Sequence, residues 1–190
     1  MCRFFGDVGI ARFNDAADAA LGGASASELG KEYTHYIYGW RLGKGIPQYP
    51  DANSTMRLTY GTVKGYSPRD GVNCHWQSTI AGLLEKEDAS RYDFTLKPEW
   101  SAMLKSADRS FPVNFLTDND ITGGNSGSPV MNARGELVGL AFDGNKESLA
   151  SNYSFTPDYN RCVCVDIRFV LWTLEHYAGM SEVIKEMKIK

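Results

Sequence analysis

Apolar and polar positions change rhythm several times along the chain. From Phe4 to Tyr38 the spacing is helical, with alanines clustered at Ala16, Ala17, Ala19 and Ala20 and with Leu29, Tyr33 and Tyr36 three to four residues apart. Gly22 and Gly23 interrupt this stretch, so two short helices are expected, followed by a Gly/Pro-containing connector from Gly43 to Pro50. From Ser54 the pattern alternates through Thr55–Tyr60 and Thr62–Tyr66, which predicts a hairpin or a bent strand pair around Gly61. Ile80, Leu83 and Leu84 return to helical spacing, and the charged run Glu85–Asp88 reads as a solvated surface loop. Strand signals follow at Val113–Leu116, Pro129–Met131, Glu136–Phe142 and Arg161–Val165, which together predict one small antiparallel barrel. Ile167 to Met187 places Val170, Leu171 and Leu174, then Val183, Ile184 and Met187, at the spacing of one or two amphipathic helices packed on that barrel.

Composition narrows the function classes. The chain has 190 residues, 43% of them hydrophobic, which suits one ordinary domain with a real core. A formal net charge of -3 with both signs interspersed offers no footprint for nucleic acid and no polybasic membrane patch. No apolar run is long enough for a membrane span, and the first residues lack the apolar core of a signal peptide. Four cysteines, Cys2, Cys74, Cys162 and Cys164, fit neither a metal knuckle nor a disulfide framework. In a strand, Cys162 and Cys164 point to the same face, where they read as two small buried apolar groups.

The sharpest chemical signal is the segment Asp120–Val130 (DITGGNSGSPV). A serine flanked by glycines on a tight turn can expose its hydroxyl while neighbouring amides converge on one point, the arrangement of an oxyanion hole. Ser126 is then the candidate nucleophile, and the amides of Gly124 and Ser126 are the candidate donors. Taken alone, the string also reads as a flexible Gly/Ser loop. Its continuation, a turn at Met131–Gly135 and the apolar strand Glu136–Leu140, resembles the nucleophile region of trypsin-like peptidases.

A closer resemblance rests on Asp51–Gly61 (DANSTMRLTYG), Val63–Pro68 (VKGYSP), Asn119–Pro129 (NDITGGNSGSP), Gly139–Asn145 (GLAFDGN) and Val165–Arg168 (VDIR). In this order they resemble the C-terminal part of the bacterial dipeptidyl-peptidase family that includes dipeptidyl peptidases seven and eleven. The resemblance implies a mainly β fold: residues 50–190 as a chymotrypsin-like second β-barrel with terminal helices, and residues 1–49 as a helical segment of an incomplete helical domain. It implies a serine peptidase that removes dipeptides from peptides with a free N-terminus, in the periplasm or at the cell surface. Ser126 matches the nucleophile, Asp143 a carboxylate that binds the substrate's amino terminus, and Gly144 the specificity pocket for the residue before the scissile bond. In that family arginine at the last position accompanies acidic preference and glycine accompanies hydrophobic or broad preference. Without the resemblance, Asp143-Gly144 reads as a common turn pair. No metal or organic cofactor is implied, and a homodimer is expected of the full-length enzyme.

A serine triad also needs a histidine and a carboxylate. Only His35, His75 and His176 are available. His35 lies among tyrosines in the helical stretch and His176 on the C-terminal helix, while His75 precedes the serine in trypsin-like order without resembling a catalytic histidine loop. The family carries its histidine and aspartate far upstream, so the chain is expected to be a fragment, inactive alone, whose partner is the missing N-terminal half. Two alternatives are a self-contained trypsin-like hydrolase using His75 and a noncatalytic module that holds peptide N-termini.

Overall fold

The structure is a computed structural model that describes residues 26–46, 54–149, 151 and 155–189. The chain divides into two compact units, Met1–Pro50 and Asp51–Lys190. In the first unit the described residues form one helix, α1 (Ala26–Gly43), with Glu28 in its first turn and Arg41 in its last, both matched to the helix dipole. Gly45, at φ 65°, ends it. The expected helix before Gly22 lies outside the described residues, as do the second half of the connector, 47–50, and Cys2.

The second unit is built on a five-stranded antiparallel sheet in the order β3-β4-β7-β6-β5, formed by β3 (Gln77–Thr79), β4 (Pro112–Thr117), β5 (Pro129–Met131), β6 (Leu137–Gly144) and β7 (Cys162–Asp166). The mainly β expectation with C-terminal helices holds. The hairpin expected around Gly61 is displaced along the chain. The observed pair is β1 (Tyr66–Arg69) with β2 (Val72–Cys74), turned at Gly71 with φ 74°. Residues 56–62 lie outside any strand and reach the sheet edge through a bridge between Val63 and Thr117. Alternation alone did not reveal this, because Gly71 supplies the left-handed turn residue that Gly61 does not. Gly61 instead allows close approach: a Cβ there would lie 2.5 Å from Asp118 Oδ1.

One face of the sheet is the core. Val113, Phe115 and Thr117 alternate inward on β4, opposite Cys162 and Cys164 on β7 and Ala141 on β6. The two sulfurs sit 3.6 Å apart and fully enclosed, as small buried groups. The hydrogen bond with Cys162 and then burial raise the Cys164 thiol far above its usual value, so it stays protonated. At the other end of that face, Ile80 and Leu104 are completely buried with Val113. They carry α2 (Ile80–Glu85) and α3 (Pro98–Ser106), the latter missing from the sequence reading and opened by a proline at its start. The C-terminal segment forms α4 (Ile167–His176) and α5 (Ser181–Glu186), and Trp172 stacks on Phe169 at 5.8 Å beneath Trp100. Asp166 begins α4 by accepting from the Arg168 amide at 2.9 Å while its other oxygen takes the guanidinium at 2.7 Å.

Candidate active site

Ser126 sits on the loop between β4 and β5, where Gly124 (φ 91°) and Gly127 (φ 81°) adopt a conformation that L side chains rarely tolerate. The loop is anchored from both sides. Asn125 Oδ1 accepts from the Thr122 amide at 2.9 Å, and the Ser128 amide donates to the Asn125 carbonyl at 2.9 Å. Across the cleft, the Gly127 amide donates to the Ala141 carbonyl at 2.7 Å, and the Ala141 amide returns a bond to Ser128 at 2.9 Å. These bonds hold the serine while leaving its side chain exposed. Its hydroxyl donates to the Phe142 carbonyl at 3.4 Å, a long bond that gives way readily to a substrate. Among the described residues, the amides of Gly124 and Ser126 donate to no other backbone group.

Asp143 and Gly144 share one cleft of about 270 Å³ with Ser126. They lie at the end of β6, where a register shift between Ala141 and Asp143 breaks the alternation and leaves Phe142 and Asp143 both exposed. Such a bulge re-aims side chains and commonly flanks active sites. Asp143 Oδ1 accepts from the Gly144 amide at 2.8 Å, and the exposed carboxylate lines the cleft. A Cβ on Gly144 would meet Ser148 Cβ at 3.1 Å, so any side chain at this position pushes on the cleft wall.

A buried polar scaffold, which the sequence did not signal, fixes that wall. Asn145 Oδ1 accepts from the Arg161 amide at 2.9 Å and also takes the Ser148 hydroxyl, while its Nδ2 donates to Glu147 Oε2 at 2.9 Å and to the Tyr159 carbonyl at 2.8 Å. Arg161, 1% exposed, spends its guanidinium on main-chain carbonyls: Gly65 at 2.9 Å, Pro157 at 2.7 Å and Asn160 at 2.6 Å. Tyr66 donates to Glu147 Oε2 at 2.8 Å, and burial pushes its hydroxyl up to about 12. The only hints in the sequence were the motif positions Tyr66 and Asn145, since pairing across so many residues leaves no local periodicity.

No histidine ring is hydrogen-bonded to Ser126 among the described residues. His75 Nδ1 accepts from the Gln77 amide at 3.2 Å and the ring lies 5.3 Å from Trp76. His176 faces the Trp172 carbonyl at 3.0 Å from the last turn of α4. His35 is exposed on α1. Nor do the described residues gather three potential metal ligands.

The sequence signature of the family Peptidase S46 matches residues 3–189. The chain belongs to the peptidase S46 family. It is 40% identical over 196 residues to a dipeptidyl-peptidase 7 of Porphyromonas endodontalis, an alignment covering 96% of this chain and 24% of that protein. It is 47% identical over 150 residues to an Asp/Glu-specific dipeptidyl-peptidase of Porphyromonas gingivalis, covering 75% of this chain and 21% of the relative. Among solved structures, DPP11 of Porphyromonas endodontalis in complex with the dipeptide Arg-Asp superposes with a TM-score of 0.70 at 41% identity, over 82% of this chain and 24% of that one. The chain therefore spans about a quarter of the length of these relatives, some of which are named dipeptidyl-peptidase 7 and others Asp/Glu-specific dipeptidyl-peptidase.

Proposed function

We propose that this chain is the nucleophile-bearing part of a serine-type dipeptidyl-peptidase, with a chymotrypsin-like second barrel and with its general base supplied by polypeptide outside the sequence. The observation that carries this reading is the shared cleft, which both the exposed Ser126 hydroxyl and an exposed carboxylate, Asp143, line. Ser126 stands on a loop whose Gly124 and Ser126 amides donate to no other backbone group among the described residues. In the reaction, Ser126 Oγ bonds to the carbonyl carbon of the second substrate residue, and its proton passes to a histidine. The amides of Gly124 and Ser126 receive the developing oxyanion. The histidine then protonates the leaving amine, and water hydrolyses the acyl-enzyme to free the dipeptide and restore the serine. Asp143 pairs with the substrate's protonated amino terminus, an interaction that an interior peptide segment does not offer. Gly144 leaves the specificity pocket without a charge, which supports hydrophobic or broad preference, although the relatives include Asp/Glu-specific enzymes. A periplasmic or cell-surface setting accompanies this reading.

A second reading, a noncatalytic holder of peptide N-termini, is favoured by the lack of a histidine bonded to Ser126 among the described residues. The two separate when this chain replaces the matched segment of the Porphyromonas endodontalis dipeptidyl-peptidase 7. Release of a fluorophore from an N-terminally free dipeptidyl substrate, lost in Ser126→Ala and strongly reduced in Asp143→Ala, supports the peptidase. Binding of the same peptide without release supports the holder.

A further inference from the structure

A surface segment ordinarily turns its polar positions to water, and residues 56–60 do the reverse. Met56, Leu58 and Tyr60 are 98%, 84% and 90% exposed, whereas Arg57 and Thr59 between them are partly covered. Arg57 Nη2 reaches inward to Asn125 Oδ1, next to Ser126, and this contact fixes which face of the segment points out. Its end is also pinned. The Thr62 amide donates to Asp118 Oδ1 at 2.5 Å, the Asp118 amide to the Thr62 carbonyl at 3.1 Å, and the Lys64 amide to the Leu116 carbonyl at 3.0 Å. The apolar row is thus presented by a pinned backbone, with Arg57 bonded to the nucleophile loop. Contiguous exposed apolar rows of this kind mark contact surfaces.

We infer that Met56, Leu58 and Tyr60 form the docking row for the polypeptide that the relatives carry outside the segment matched here. This inference rests on the proposed function. Two observations select that occupant. The matched segment is 24% of the length of the Porphyromonas endodontalis dipeptidyl-peptidase 7, so most of such a protein lies beyond it. The row is also linked through Arg57 and Asn125 to the loop that a general base must reach. A partner seated on the row approaches Ser126 from the side of Asn125, and its packing orders Arg57 against that loop.

Hydroxyl-radical footprinting of the 190-residue chain, alone and within the chimeric dipeptidyl-peptidase described above, tests the assignment. Met56 and Tyr60 oxidise at least about tenfold more slowly in the chimera, as expected for positions from which a packed interface excludes water, while Tyr92, 93% exposed elsewhere, is unchanged. Equal rates in both settings overturn the inference. So does protection in the chain alone that grows with its concentration, which would make a second copy the occupant. As a second measurement, the tagged chain is co-expressed with the remainder of that relative. Recovery of a one-to-one complex that Leu58→Asp abolishes and Tyr92→Asp does not supports the row, and recovery of no complex overturns it. Protection without peptidase activity keeps the docking row and removes the peptidase reading; activity with an unprotected row does the opposite.

Discussion

Tyr66 and Glu147 lie 81 positions apart in sequence and meet in a hydrogen bond of 2.8 Å behind the cleft. Burial raises the Tyr66 hydroxyl from 10.0 to about 12. The unfolded chain therefore loses this proton first as pH rises, and ionisation favours unfolding between those two values. Stability from this group is complete below pH 10 and is lost as pH climbs through 12. Urea denaturation at pH 9 and pH 11 should show a fall in midpoint that Tyr66→Phe makes shallower.

Arg161 is a buried cation whose guanidinium meets no carboxylate among the described residues and is satisfied by the carbonyls of Gly65, Pro157, Asp158 and Asn160. Arg161→Met removes the charge yet orphans several enclosed acceptors, and a cost of about 3 kcal/mol is expected. Arg161→Lys should recover little, because one ammonium does not span the fork. Chemical denaturation of the three proteins checks the order.

Gly139 faces the Val165 carbonyl and the Phe115 ring so closely that an added Cβ would lie 2.6 and 2.7 Å from them. Both neighbours belong to the sheet core, so neither yields easily. Gly139→Ala should cost about 1–3 kcal/mol, seen as a lower thermal midpoint with an unchanged β-sheet spectrum.

Gly144→Arg places a cation at the end of β6 and presses on Ser148. In the chimeric enzyme, the ratio of kcat/KM for an acidic over a leucine residue before the scissile bond should rise at least about tenfold. An unchanged ratio removes Gly144 from the specificity pocket.

Legibility in the sequence follows the range of the interaction. Strands β4, β5, β6 and β7 were visible because each alternates or runs apolar between turn residues, and the same-face burial of Cys162 and Cys164 follows from that period. The Ser126 turn was visible because its glycines are needed at left-handed φ. By contrast, α3 was obscured among charged neighbours, and the hairpin was misplaced from Gly71 to Gly61. The Asn145–Arg161 scaffold and the inverted row at Met56, Leu58 and Tyr60 were hidden for a different reason. Alternation tells which residues share a face, and only tertiary structure tells which face is turned inward.

On the proposed function, Ser126 is a nucleophile awaiting its base. A fluorophosphonate probe followed by peptide mass spectrometry addresses it most directly. Negligible labelling of the 190-residue chain is expected, and stoichiometric labelling on Ser126 once the chain sits in the chimeric dipeptidyl-peptidase. Labelling of another residue, or none on Ser126 in a chimera whose Met56 and Tyr60 are protected, would contradict it.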